Sequence, residues 1–496
     1  SRFAESESVL DPKGELLLKW RVDYDSQKIR FQLIVSDQAP SFNWFALGFS
    51  DRGLLNTSDD MHADAEGKLI QDRKQNCDNF HLVRQSQSIV FERYFDTCDD
   101  DDYVIEDGTV HVVWAHGIDK LFTSKGLCLT CISPLKRGFI RVRLHTPSGL
   151  QLADAYKLRI ANKDLKVPGG DTTYWCQVVK LPEFISEKEH HIVQVKAAWA
   201  MGALPFTYPK EAGLPLGGPK ANKYVMLEVH YNNPQMRTDW VDSSGIVLHV
   251  IGNKRKHDAA IMELGLEYTD KMAIPGGQKA FPLTAYCIPQ CTGVGLPAEG
   301  IVVFGSQLHT HLTGIAVWTR HSRQGVELPV LNKDIHYSTH FQEIRILHRP
   351  VRVLPGDFLM TTCVYNTEDK DNATIGGHAI TDEMCVNYVH YYPATDLEVC
   401  KSAVSNAALE NYFNFEERDD SPNKSGSHLQ IPSPIITRRN RTASTVEGEY
   451  VPLPGDEVIY RLCPIPPKFE KNQAVHVCIM HLIPEKHLKW DEPGCN

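Results

Sequence analysis

Several things are scarce in this chain of 496 residues, and each scarcity excludes a class of protein. No apolar run approaches the ~18 residues that cross a bilayer as a helix, so no transmembrane segment is expected. Positive charge is short: the formal net charge of -10 argues against a nucleic-acid surface, which would be basic. The opening SRFAESES has no basic stretch leading into an apolar one, so no signal peptide is expected within it. There is no HExxH, no doubled CxxC and no GxSxG, which removes the usual sequence signs of a zinc protease, a structural zinc site or a serine hydrolase. Cys128-Leu-Thr-Cys131 is a single CxxC and a weak zinc signal. Helical periodicity is rare and no internal repeat is visible.

What is present is a globular composition, 42% hydrophobic and 23% charged, at a length that suits about two to four domains. ELLLKWRVDY alternates Leu16, Leu18, Trp20, Val22 and Tyr24 on one face, and KIRFQLIV follows with Ile29, Phe31, Leu33 and Val35. That period of two, broken by turn residues, predicts a β-hairpin. The same pattern recurs in SIVFERYFDT, TTYWCQVVKL, KYVMLEVHYNN, GIVLHVIG and FLMTTCVYN. The expected fold class is therefore all-β, built of antiparallel sandwiches. The acidic run DTCDDDDYVIEDG lacks the ligand spacing of a calcium loop and is read as a solvated turn. Residues 418–448, polar and rich in Pro, Ser and charge, are read as a flexible segment.

Thirteen scattered cysteines and the sequons at Asn56, Asn372, Asn423 and Asn440 together point to an oxidising, secretory compartment and to glycosylation. Thirteen is odd, so at least one cysteine is expected to lack an intramolecular partner.

GSQLHTHLTG puts His309 and His311 one residue apart in a β-prone run, where side chains two apart share a face. His230 in MLEVHYNNP, the His190–His191 pair in EKEHHIVQ, and Met384 in DEMCVNYVHYYP are further candidates. Two imidazoles with a thioether suit copper in both redox states, nitrogen serving Cu(II) and sulfur Cu(I). The competing readings are a packed histidine pair, a hydrogen-bonded structural His230 and a core-filling Met384.

These segments resemble one family. DTTYWC (171–176), AAWAMGALPFTYPKEAGLPLGGP (197–219), YVMLEVHYNNP (224–234), AAIMELGLEYT (259–269), SQLHTHLTG (306–314), HYSTHFQEIRIL (336–347) and TDEMCVNYVHYYP (381–393) are similar to words of the copper type II, ascorbate-dependent monooxygenases, in particular the β-hydroxylases of dopamine and tyramine. ALGFSDRG and YVIEDGTVHVVW resemble the DOMON sandwich that precedes the catalytic core in that group. The resemblance implies a DOMON domain at 14–117 and a linker with connecting strands at 118–170. It implies copper monooxygenase domains of jelly-roll type at 171–255 and 256–417, the flexible segment at 418–448, and a disulfide-tied tail at 449–496. It implies an O2-activating copper held by His309, His311 and Met384, and a second, electron-supplying copper with three histidines, of which His230 matches one. Tyr174 and His309 match active-site positions, and Glu263 matches a carboxylate that could pair with the substrate ammonium, against the alternative of a surface strand charge. Implied too are ascorbate as electron donor, tyramine or dopamine as substrate (giving octopamine or noradrenaline), a secretory-vesicle or secreted location, and a homo-oligomer. The implied disulfides are Cys98–Cys495, Cys287–Cys400, Cys291–Cys463 and Cys363–Cys385.

The chain departs from the family at one place that matters. HHIVQ, which matches an earlier His-His-Ile word and not the copper pair, runs straight into VKAAWAMG, which normally lies far downstream. A stretch holding two copper ligands and several cysteines is missing. The first domain is also short between LNTSDD and MHADAEGK. Skipped exons and a faulty gene model both produce such gaps. His190 and His191 would replace the lost pair only through a register slide, which burial resists, and Cys176 is expected to have lost its partner. The alternative to an enzyme is a non-catalytic isoform that keeps the His-His-Met site and acts as a binding or regulatory partner.

Overall fold

A computed structural model of the chain describes residues 5–36, 44–50, 57–58, 61–63, 69–71, 76–83, 88–98, 102–117, 122–123, 126–127, 137–145, 155–170, 172–196, 205–404, 458–460 and 480–482. These are almost entirely strands, with two short helices, Glu183–Glu187 and Pro289–Gly295, among the described residues. No described helix is long and apolar enough to cross a membrane. The all-β class expected from the alternation is the class observed. The chain divides into two compact units, 1–150 with 334–337, and the remainder.

The first unit is two sheets around one core. A five-stranded sheet runs in the order Ser6–Val9, Leu16–Asp23, Lys28–Val35, Ser88–Tyr94, Asp78–Val83, and a three-stranded sheet in the order Arg137–Val142, Val110–Gly117, Trp44–Ser50. In the first hairpin Trp20 lies opposite Phe31, Leu18 opposite Leu33 and Leu16 opposite Val35. All six are buried, so the period of two puts one face of each strand into the core. Phe49, Val110, Val112 and Trp114 from the other sheet complete that core. The acidic run differs from the solvated turn expected of it. Asp102 is buried, and its carboxylate accepts hydrogen bonds from Asn76 Nδ2 (2.6 Å) and Thr97 Oγ1 (2.5 Å). Local donors have drawn one acid of the run inward; residues 99–101 lie outside the described residues.

The second unit holds two further cores. In the first, strands Tyr156–Ala161, Gly245–Ile251, His190–Lys196, Ala212–Leu216 and His257–Asp258 form one sheet; Thr172–Lys180, Tyr224–Asn232 and Met480–Leu482 form the other. Ile160, Leu181, Ile192, Leu214, Val225, Leu227 and Leu248 are among the residues that fill this core. The second core lies beneath the sheet Arg345–Val353, Ile301–His309, Val386–Tyr392, Ala260–Leu266, Val399–Val404, Val458–Tyr460. A four-stranded sheet, Phe281–Cys287, Asp357–Tyr365, Gly314–Arg323, Val326–Asp334, belongs to the same unit. Within the stretch read as linker, Arg137–Val142 joins a sheet of the first unit and Tyr156–Ala161 a sheet of the second.

Two disulfides tie this last region: Cys287–Cys400 and Cys363–Cys385. Cys291 is disulfide-bonded as well; Cys463 lies outside the described residues. Two cysteine expectations need correction. Cys176 is disulfide-bonded and has not lost its partner. The reason is topological: strand Met480–Leu482 pairs with Tyr224–Asn232, and so brings the cysteine-bearing tail to the sheet that holds Cys176. Cys98 is free and exposed, so the bridge to Cys495, itself outside the described residues, is not formed. Of the four sequons only Asn372 falls among the described residues, and it is exposed; Asn56, Asn423 and Asn440 lie outside them, as does 418–448.

Candidate metal centre

His309 is the last residue of strand Ile301–His309, and the strand stops there. His311 therefore sits in the turn that follows, not on the strand as its spacing predicts. The two rings are still neighbours, with centroids 5.3 Å apart and planes at 83°. Gly314 makes the turn possible: a Cβ there would collide with the side chain of Thr310, which is buried between the two histidines. Gly314→Ala is expected to displace Thr310 at a cost of about 1–3 kcal/mol. Thermal unfolding of the metal-free variant checks this, and an unchanged melting temperature would show that the turn has slack.

The hydrogen bonds fix which nitrogen of each ring can bind a metal. Gln342 Nε2 donates to the carbonyls of Thr310 (3.2 Å) and Thr339 (2.7 Å), which leaves Gln342 Oε1 as an acceptor. That oxygen lies 2.5 Å from His309 Nδ1, so Nδ1 carries the proton and the lone pair is on Nε2. His311 Nδ1 lies 2.9 Å from the carbonyl oxygen of Asp382 and must also donate, which again places the lone pair on Nε2. A metal-binding histidine is oriented in this way, by an acceptor on its other nitrogen. Burial, then the neighbouring His311, pushes the His309 imidazole down to about 4, so it stays neutral and able to ligate well below pH 6.

Met384 is buried and held at its backbone from several sides. Tyr365 Oη donates to its carbonyl (2.8 Å), the adjacent Cys385 is bridged to Cys363, and its amide donates to the carboxylate of Glu383 (3.1 Å). The same carboxylate accepts from the amide of His311 (2.9 Å). Two imidazoles with Nε2 lone pairs and one buried thioether are a donor set that fits copper.

Tyr174 and His230 face each other across the strand pair Thr172–Lys180 and Tyr224–Asn232. Their rings stack at 4.4 Å and 18°, and Tyr174 Oη donates to the carbonyl of His378 (3.0 Å). Burial pushes the Tyr174 phenol up. Burial, then His311, pushes His230 down. His230 Nε2 is buried without a hydrogen-bond partner, as a metal ligand waiting for its ion would be.

The remaining histidines do not complete a second site with it. His191 is fully buried, with Nε2 on Asp258 (2.7 Å) and Nδ1 accepting from the amide of Arg255 (3.0 Å). Both ring nitrogens are in use, and the contact holds the Asp258 carboxyl down at about 2. His190 Nδ1 is on the carbonyl of Lys188 (2.6 Å). Both sit on strand His190–Lys196, in a different sheet from His230. Among the described residues no group of three or more His, Cys, Asp or Glu side chains is arranged for a metal. A three-imidazole copper site does not fit what these residues supply, whereas the His-His-Met set, whose third donor is sulfur, does.

Glu263 is neither a bare surface charge nor an open carboxylate. It pairs with Lys401 on the neighbouring strand, and Tyr268 Oη is 3.4 Å away. Lys401 Nζ also lies over the Tyr268 ring, 3.7 Å from its centroid. Burial pushes Lys401 down, against the pull of Glu263.

Sequence reasoning missed Gln342, Glu383 and the Asp382 carbonyl. A glutamine in HFQEI has nothing to mark it, and a backbone carbonyl has no sequence signature at all. Glu383, next to Met384, would have been found only by asking what holds the methionine in place.

Comparison with known proteins agrees with this geometry. The family described as copper type II ascorbate-dependent monooxygenase, C-terminal domain, matches residues 257–413, which include His309, His311 and Met384. The N-terminal domain of the same family matches residues 194–238. That match includes His230 and begins after His190 and His191. Dopamine beta-hydroxylase of Bos taurus is 41% identical over 483 aligned positions, covering 83% of this chain and 77% of the relative. Since 83% of 496 is about 412 residues, about 70 of those positions are filled by the relative alone, as the missing stretch requires. Tyramine beta-hydroxylase of Caenorhabditis briggsae is 37% identical, covering 81% of this chain and 79% of the relative. DBH-like monooxygenase protein 1 of Homo sapiens is 31% identical, covering 80% and 74%. With two domain matches and identity sustained over three quarters of such relatives, the chain belongs to the copper type II ascorbate-dependent monooxygenases.

Proposed function

We propose that this chain hydroxylates the benzylic carbon of a phenethylamine, tyramine or dopamine, with O2 as oxidant and ascorbate as reductant, in the lumen of the secretory pathway. The observation that carries the reading is the pair of locked tautomers at His309 and His311 beside Met384. Copper bound by these three would supply one-electron redox chemistry and oxygen activation. The rest of the work falls to the protein. Gln342 and the Asp382 carbonyl hold the imidazoles in their ligating form. The burial of His309, Thr310 and His311 keeps bulk water from the donors. Tyr174, anchored by the His378 carbonyl and stacked on His230, is read as an active-site wall. The first unit is read as the DOMON domain.

For the substrate amine we keep Glu263, with a change of detail. Its carboxylate and the Tyr268 ring already hold one ammonium, that of Lys401. A phenethylamine would be bound by exchange with it, since an ammonium over an aromatic face beside a carboxylate is what the pair recognises. Glu263→Gln is expected to raise KM for tyramine about tenfold with little change in kcat. A KM within twofold of the parent would remove Glu263 from the substrate site.

The defining experiment measures bound copper and ascorbate-driven hydroxylation of tyramine on the same purified sample. One copper per chain with octopamine formed is the expected result. One copper with no product would favour the second reading, a non-catalytic copper-binding isoform; the engagement of His191 by Asp258 and Arg255 is the observation on its side.

A further inference from the structure

We infer that Glu383 is a positioning residue for the copper site, a single buried carboxylate that sets two of the three ligands relative to one another. The inference rests on His309, His311 and Met384 being that site. Glu383 is 1% exposed. Its Oε2 accepts from the amides of His311 (2.9 Å) and Met384 (3.1 Å), two ligand residues that are far apart in sequence. Its Oε1 accepts from the amide and the hydroxyl of Thr313, both at 2.7 Å. Its own backbone is pinned in turn: its amide donates to the carbonyl of Ile375 (2.9 Å), and its carbonyl accepts from Gly377 (3.2 Å).

Four donors converge on this carboxylate, and no lysine or arginine among the described residues pairs with it. A neutral acid would have to turn an O–H toward one of those donors, so the arrangement specifies the anion. Burying a carboxylate with no counter-cation is expensive, and four hydrogen bonds offset only part of that cost. A cation bound close by would supply the rest. The geometry thus assigns Glu383 two tasks. It fixes the separation of the histidine turn and the Met384 segment, and it places one negative charge beside a donor set that is itself neutral.

The test uses the full chain, with Cu(I) affinity measured by chelator competition and the copper–sulfur component of the X-ray absorption spectrum as a direct reading of Met384. Glu383→Gln keeps the volume but turns an N–H against two amide donors. It is expected to weaken Cu(I) binding 10–100-fold and to remove the sulfur component. A merely structural role would lower the melting temperature and leave both copper readings of the folded fraction unmoved; that result overturns the inference. Should Glu383→Gln fail to fold, Glu383→Asp decides. It keeps the charge but is one methylene too short to reach both amides, so it is expected to weaken the sulfur component; parental affinity with the component intact overturns the clamp. Parent protein that binds copper without nitrogen and sulfur scattering refutes the site itself, a different outcome from a parent that shows both beside a variant that is unchanged.

Discussion

Replacing His309 by alanine is expected to abolish both copper retention and hydroxylation, a larger loss than the ~10–100-fold typical of an outer partner. His309 is the ligand most fully committed to its role. It is buried, kept neutral, and has its Nδ1 proton spent on a glutamine whose amide cannot turn over. Gln342→Leu supplies the comparison. It leaves His309 in place but removes the acceptor, so the ring can change tautomer or rotate. Copper affinity should fall into the 10–100-fold range, with a further stability cost of about 1–3 kcal/mol as the Thr310 and Thr339 carbonyls lose a donor. Copper per chain after dialysis against a weak chelator measures both. If the two variants behaved alike, tautomer locking would account for the whole of the ligand's contribution; if Gln342→Leu kept parental affinity, the tautomer argument would fail.

The second large effect lies away from the metal. His390, on strand Val386–Tyr392, is buried among Phe206, Tyr208 and Phe304, and neither ring nitrogen has a hydrogen-bond partner. Burial pushes its imidazole down to about 3. The unfolded chain binds a proton there near pH 6.5, while the folded chain does not until near 3. Stability is therefore complete above about pH 6.5 and is lost as the pH falls, at about 1.4 kcal/mol per unit once well below that value. At pH 5 the loss from this one group is roughly 2 kcal/mol. His390→Phe is expected to flatten the acid limb by about that amount and to stabilise the neutral protein by about 1–3 kcal/mol, since two orphaned polar atoms give way to ring edge in an aromatic cluster. Denaturant unfolding at pH 7 and pH 5 measures both. Parallel pH profiles for parent and variant would mean that His390 finds a partner in solution.

The sequence was most legible where one physical constraint dominates. Leu16, Leu18, Trp20 and Val22 alternate because a sheet with one wet face demands it, and all four are buried. His309 and His311 could be paired by spacing alone, although the strand ends between them. Met384 could be joined to them only by resemblance, because no local pattern reports a contact between segments so far apart. What remained illegible was the support for these ligands. Gln342, Glu383 and the Asp382 carbonyl act through hydrogen bonds that form only once separate segments meet. Cys176 shows the same limit. Its loss of a partner was argued from chain order, while the pairing of Met480–Leu482 with Tyr224–Asn232 decided otherwise.

That late pairing also orders events during synthesis. Strand Tyr224–Asn232 is flanked on one side by Thr172–Lys180, available almost at once, and on the other by Met480–Leu482, which leaves the ribosome only after every other described strand. Until then the sheet that carries His230 presents an open edge, the kind of surface that recruits foreign strands. A nascent chain stalled before residue 480 would carry the whole His-His-Met site and still be a client for chaperones.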